Sequence, residues 1–360
     1  MNSVQPTVRD VARAAEVSVG TVSRVLRGEP NVAQDTAQRV QDAVQRLNYA
    51  PLRRRATLDR ERPLLRKSIA LVLLGMDRSL ETLPSVASGI HGTESALASA
   101  GAEVLLADLP LADHVPQPLS RRQAHGVLAK GALQTMFLDQ VDPELVASLR
   151  KTPTVWFLGR PQGADWGDVV QSDDAAAGRL AAEYLLARGH RRMAILDPKP
   201  SHVTLSQRCA SFAWHATNGG AHVEHLCGKR VNASKPTLPL KSVDDPESIE
   251  RLVVRLLKLR RKPTAIFVPA DCIAAMAYRA FAGRGLTIGK DFSLISCNNE
   301  LSLLAGLYPE VTTIDIRAQQ IGRQAVDQLI WRLGHPNSPN VSVSVEPRLV
   351  EGMSVADISG

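Results

Sequence analysis

Long apolar runs are missing from this chain of 360 residues. The opening MNSVQPTVRD has no apolar stretch of the kind a secretion signal needs, and nothing approaches the ~20 apolar residues of a membrane span. The expected location is therefore the cytoplasm, with no membrane partner. Cysteine is scarce as well: Cys209, Cys227, Cys272 and Cys297 are scattered through one half without a CxxC pair. Neither a disulfide framework nor a cysteine zinc centre is indicated by that pattern, and the expectation is of reduced, mostly buried thiols. No G-x-G-x-x-G follows a strand-like run. The nearest approach to a phosphate loop, GRGLTIGKD at 283–291, spaces its glycines six apart where the motif needs five, and places Asp291 where a Ser or Thr belongs. An enzyme reading thus finds no motif, and neither catalytic residues nor a cofactor are expected.

What is present is a folded composition, 44% hydrophobic and 22% charged, with unevenly placed charge. The net charge is +7, from 43 Lys+Arg and 36 Asp+Glu. Residues 1–67 hold 13 basic and 7 acidic residues, a net of +6, so the remainder is nearly neutral at +1. A basic module on a neutral body is what attraction to a phosphate backbone calls for, although charge alone also fits a solvated surface.

Thr7-Val8-Arg9-Asp10 has capping-box spacing, and Val8, Val11, Ala12 and Ala15 follow at helical intervals. Ser18 caps a second helix with Val22, Val25 and Leu26 on its apolar stripe, ended by Gly28. Together they predict a helix-turn-helix. Val40, Ala43, Val44 and Leu47 mark a third helix whose start, at Ala33, lacks a capping hydroxyl. Residues 51–67, LRRRATLDRERPLLRK after Pro51, read as a basic linker. From residue 68 onward, buried β runs at 69–74, 102–108, 154–158, 192–196, 264–270 and 292–297 alternate with helical stretches such as 174–188, 247–259 and 271–283. The predicted organisation is an all-α head at 1–50, the linker at 51–67, and a two-lobed α/β body at 68–360 with parallel sheets and a ligand cleft at the strand ends.

The run TVRDVARAAEVSVGTVSRVLRGEPNVAQDTAQRVQDAVQRLNYAP resembles the DNA-binding head of the lactose/galactose repressor (LacI/GalR) family of bacterial transcription factors. The body is similar to that family at DDAAAGRLAAEYLLARGHRRMAIL, PTAIFVPAD, GLTIGKDFSLIS and TTIDIRAQQIGRQAVDQLI, and least so near 109–149 and 227–245. The resemblance implies a homodimeric repressor whose two heads read a near-palindromic double-stranded operator. Its body would resemble a periplasmic-binding-protein fold and sense a small effector, a sugar or sugar derivative.

For DNA, the resemblance places Ser18, Val19, Gly20, Thr21, Ser23 and Arg24 at the start of a recognition helix in the major groove, with Thr7 and Tyr49 beside them. Ser18, Thr21 and Ser23 are suited to phosphates and Arg24 to a guanine edge, while Ser18 alternatively serves only as a cap. Val19 offers a thymine methyl contact and Gly20 nothing, which shifts specificity toward Arg24, the linker and DNA shape. In the linker, Arg53, Arg54 and Arg55 replace a commoner Ala-rich sequence, and Leu58 falls at the position of a minor-groove wedge; a flexible tether without a wedge is the alternative. For the effector, the resemblance points to Arg208, Asp271, Asn298 and Ser85. Read singly, Arg208 is equally a structural ion pair and Asp271 a helix cap. Asn298-Asn299 stands where acidic pairs are commoner, which removes charge. A metal-responsive regulator is the competing class, since His202, Cys209, His215, His222, His225 and Cys227 crowd into 202–227. No spacing there matches a closed zinc template, and His222 and His225, three apart on a strand, face opposite sides, so no metal is expected.

Overall fold

The computed structural model describes residues 6–26, 32–49, 62–76, 84–133, 137–228, 238 and 246–360. The chain divides into two compact units, 1–65 and 66–360. Arg53, Arg54, Arg55 and Leu58 lie outside the described residues.

The first unit carries α1 (Val8–Ala14), α2 (Val19–Leu26) and α3 (Gln34–Arg46). The capping box forms as its spacing predicts: the Asp10 amide donates to Thr7 Oγ1, and the Thr7 amide donates to Asp10 Oδ2 at 2.8 Å. Ser18 Oγ accepts the Thr21 amide at 3.1 Å and so starts α2. At α3 no side chain caps Ala33, as its methyl dictates. Val11, Ala12, Ala15, Val22, Val40 and Ala43 form a closed core in this small unit.

The second unit contains two six-stranded sheets. Lobe one is built from β1 (Ser68–Leu74), α4 (Pro84–Ala100), β2 (Glu103–Leu109), α5 (Gln117–Ser120), β3 (Gly126–Lys130), α6 (Pro143–Lys151), β4 (Thr154–Phe157) and β5 (Asp168–Ser172). The chain then passes to lobe two: α7 (Asp174–Ala187), β6 (Arg192–Asp197), α8 (Val203–Asn218), β7 (His222–Cys227), α9 (Pro246–Leu257), β8 (Ala265–Phe267), α10 (Asp271–Ala282), β9 (Ser293–Cys297), α11 (Leu301–Leu304) and β10 (Thr312–Asp315). Next, α12 (Ala318–Gly334) returns to pack on α4, β11 (Ser342–Val345) joins β5, and β12 (Arg348–Val350) joins β10. Strand order is β11-β5-β4-β3-β1-β2 in lobe one and β12-β10-β9-β8-β6-β7 in lobe two. All pairings are parallel except β10 with β12. The lobes are thus joined at residue 173, residues 316–317 and residues 346–347, so strand ends of both sheets meet at the crossovers. This is where an α/β architecture places a ligand.

Continuous apolar strands such as SIALVLL are buried on both faces by flanking helices. The return of α12 to lobe one is fastened by a buried ion pair. Arg332 Nη2 and Nε grip Asp168 at 2.6 and 3.0 Å, and Gln328 and the Val341 amide satisfy the remaining acceptor sites. The stretch at 283–291, which resembled a phosphate loop, is the turn between α10 and β9.

Candidate functional site

Two sites follow from this frame, one in each unit. In the head, α2 buries Val22 and turns Ser18, Val19, Gly20 and Arg24 outward. Val19 is 42% exposed. Gly20 and Arg24, four residues apart, lie on one helical face, and a β-carbon added at Gly20 would meet nothing closer than Ser18 Oγ at 3.6 Å. The expected readers therefore stand on one open face. Ser18 does cap the helix, and its hydroxyl also lies 2.9 Å from Thr21 Oγ1, at the positive end of α2 where a phosphate is favoured. Thr7 is committed to its capping box, Ser23 is half-buried, and Tyr49 packs half-buried on the head core.

In the body, polar side chains from both lobes gather at the strand ends. From lobe one comes Lys130, closing β3. It is only 4% exposed and donates to the Leu158 carbonyl at 2.9 Å. Burial pushes its pKa down to about 7, with Asp174 opposing the shift. From lobe two comes Arg208 on α8, 2% exposed, which donates to Asp174 Oδ1 at 2.8 Å, the Pro269 carbonyl at 2.9 Å and Asn298 Oδ1 at 2.8 Å. Of the two roles considered for Arg208, the structure shows the buried ion pair, formed at the strand ends where the lobes face each other. His202, which caps α8 through Nδ1, is half-buried; burial, then Lys130, Lys199 and Arg208, push its pKa down to about 3, leaving the ring neutral. Asn298 and Asn299 take φ +118° and +60°, a region that asparagine tolerates better than most residues.

Ser85 and Asp271 behave differently from the expectation. Ser85, at the start of α4, donates its hydroxyl and amide to Glu300 Oε1 at 2.6 and 3.1 Å. This is a direct hydrogen-bonded latch from lobe one to lobe two. Glu300 was not legible as a site residue, because only the fold opposes it to Ser85. A groove of about 750 Å³ opens beside the latch, lined among others by Ser88, Asn299, Arg317 and Arg323. Asp271, expected to hold the effector, is fully buried and committed to lobe two. Ser296 and Thr313 donate hydroxyls to Oδ1, and the Glu300 amide donates to Oδ2 at 2.7 Å. Burial raises its pKa to about 7. It does not cap α10, whose N-cap is Ala270. Its role is to anchor the loop that carries Glu300, one step behind the latch.

Arg208 is placed by a close crossing of α7 and α8. A β-carbon at Gly178 would overlap the Arg208 carbonyl and the Phe212 amide. Gly178→Ala is therefore expected to displace α8 and destabilise lobe two by about 1–3 kcal/mol. Thermal unfolding measures this, and an unchanged melting temperature would show that the crossing relaxes freely.

Of the His/Cys residues at 202–227, His202 caps α8, Cys209 is buried in lobe two, His215 packs against Trp214, His222 pairs with Glu224 at 3.1 Å, and among the described residues His225 and Cys227 form a group of three ligand-type side chains with Asp197. Among the described residues, no helix is long and apolar enough to cross a membrane.

An all-α reading head with an exposed recognition helix, attached to a two-lobed α/β body with charged groups at the strand ends, defines a DNA-binding regulatory protein with a small-molecule-binding body. Residues 7–51 match the lacI family of bacterial regulatory proteins, and residues 182–355 match the periplasmic binding protein-like domain. The chain thus carries a lacI-family DNA-binding head and a periplasmic-binding-protein-like body, and is a DNA-binding transcriptional regulator. It is 28% identical over 358 residues to the HTH-type transcriptional repressor PurR of Mannheimia succiniciproducens, covering 98% of this chain and 99% of that protein. Among solved structures, it is similar to the transcriptional regulator CelR in complex with cellobiose, with TM-score 0.61, 22% identity, and coverage of 97% and 100%. It is also similar to the lac repressor dimer bound to operator and the anti-inducer ONPF, with TM-score 0.61, 21% identity, and coverage of 98% and 99%. At these identities the structural likeness establishes the fold.

Proposed function

We propose that the protein is a cytoplasmic repressor that binds a near-palindromic operator as a homodimer, and that its effector is a hydroxylated small molecule bearing an acidic group, such as a sugar acid or sugar phosphate. Lys130 carries the effector reading. It is a buried cation facing the Arg208 cluster, and among the described residues it forms no ion pair. A carboxylate or phosphate between the lobes would supply the missing partner, while Asn298, His202 and Arg208 offer directed hydrogen bonds to hydroxyls. The repressor output follows the name of the PurR relative, and the carbohydrate class follows the cellobiose bound by CelR. Effector binding acts on operator affinity by favouring one lobe arrangement over another, with the Ser85–Glu300 latch as the contact that closure makes or breaks. The dimer is supported by the exposed apolar residues Val104 and Leu106 on β2, an edge strand.

Lys130→Met tests the chemistry of the effector. Thermal-shift screening should find sugar acids or phosphates that stabilise the wild type, and the variant should lose at least about tenfold in affinity for them. Neutral sugars that stabilise both proteins equally would contradict the acidic-effector reading. The same variant has a pH signature. Below about pH 7 the lysine is charged in both folded and unfolded chains, so the burial penalty is fully present. As pH rises toward the unfolded value of ~10.4, the penalty disappears. Lys130→Met should thus be the more stable protein at pH 7, with its advantage shrinking as pH approaches 10.

A further inference from the structure

Away from the interlobe cluster, three metal-ligating side chains converge at the end of the outermost lobe-two strand. β6 and β7 pair in parallel with Asp197 opposite Cys227 and Ile195 opposite His225. His225 and Cys227 are two residues apart, so they share a face with each other and with Asp197. One ligand atom from each, a carboxylate oxygen, an imidazole nitrogen and a thiol sulfur, lies within 4.8 Å of the other two. His225 Nε2 is 3.5 Å from Asp197 Oδ2. Ligands at 2.0–2.3 Å from a tetrahedral ion stand ~3.3–3.8 Å apart, so small side-chain rotations complete the geometry.

The surroundings are those of a prepared site. The Lys199 amide donates to Asp197 Oδ1 at 3.0 Å, which orients the carboxylate and leaves Oδ2 toward His225. Arg255 Nη1 donates to the Cys227 carbonyl at 2.7 Å, fixing the strand end that carries the thiol. Asp197 is buried, Cys227 half-buried and His225 exposed, so the cluster is open to solvent on one side. A mixed nitrogen, sulfur and oxygen set suits a borderline divalent cation and not calcium or magnesium.

We propose that Asp197, His225 and Cys227 bind one Zn²⁺ per chain, with water as the fourth ligand. Binding releases the Cys227 proton to solvent and ties the edge strand β7 to β6 at the point where the chain leaves the sheet. The site is independent of the effector reading, since it uses none of the residues assigned to that cluster.

Cobalt titration of the full-length, chelator-treated protein tests the proposal. One equivalent of Co²⁺ should produce a thiolate-to-cobalt charge-transfer band that added Zn²⁺ abolishes, because Zn²⁺ has no such transition. Cys227→Ser should lose the band, and His225→Ala, at an exposed position with little risk to folding, should weaken cobalt binding at least about tenfold. Cys209→Ser should leave the band intact. Absence of the band, binding only at millimolar cobalt, a band that survives in Cys227→Ser, or wild-type affinity in His225→Ala would each overturn the site.

Discussion

Arg208→Ala is expected to abolish the effector's influence on operator affinity and to destabilise the body at the same time. The guanidinium is buried and satisfies Asp174, the Pro269 carbonyl and Asn298. Its removal leaves the Asp174 carboxylate buried without its counter-ion, a change of about 3–5 kcal/mol. A ligand polar group that loses its charged partner weakens by ~2–5 kcal/mol, enough to take micromolar binding toward millimolar. A cleft-lining arginine with no structural bonds would have shown only the second effect. The double change Asp174→Asn with Arg208→Met separates the two: with charge removed from both partners, stability should return most of the way while effector response stays absent. Calorimetry and thermal unfolding on the same samples read both quantities. Arg208→Ala with wild-type ligand binding would remove the residue from the site.

Removal of residues 1–67 is expected to eliminate operator binding altogether. That segment carries +6 of the +7 net charge and contains the helix-turn-helix, and each of the two units has a hydrophobic core of its own. The body alone should remain folded and keep its effector affinity. Full-length binding should weaken steeply with salt, because each phosphate neutralised by a cation returns a condensed counterion to solution. Titration of labelled DNA across salt concentrations measures this. Operator binding by the body alone, or a flat salt response, would contradict the assignment of DNA recognition to the head.

The head was legible in detail because its signals are local. The Thr7–Asp10 box, the Ser18 cap and the uncapped Ala33 depend on residues within one helical turn. A strand buried on both faces such as SIALVLL was equally plain, but the fully buried β3 and β10 were missed, and the run at 264–270 forms a strand only over Ala265–Phe267. Strands with weaker or non-local support were missed. β5 begins at Asp168, a charged residue tolerated there only because Arg332 arrives from another helix, and β11 reads SVSV with every residue at least partly exposed. The triple crossing between lobes was also out of reach, as it depends on where α12 packs.

Hydrogen-bond partners distant in sequence were not legible. Asp271 had the right residue type in the right register, yet its lone pairs are taken by Ser296, Thr313 and the Glu300 amide from neighbouring elements. Lys130, the residue on which the proposed effector chemistry rests, is marked in the sequence only as a lone cation at the end of the buried apolar strand GVLAK. The His225-x-Cys227 spacing was likewise visible, but its meaning required Asp197 on the adjacent strand.

Selection of bound sites from random double-stranded DNA by the full-length protein tests the central account most directly. The predicted outcome is a single enriched motif with two inverted half-sites, reflecting two heads placed by a two-fold dimer. Arg24→Ala should relax preference at one position in each half-site, by ~1–3 kcal/mol of discrimination. No enrichment over random sequence, or a lone half-site without a symmetry mate, would contradict it.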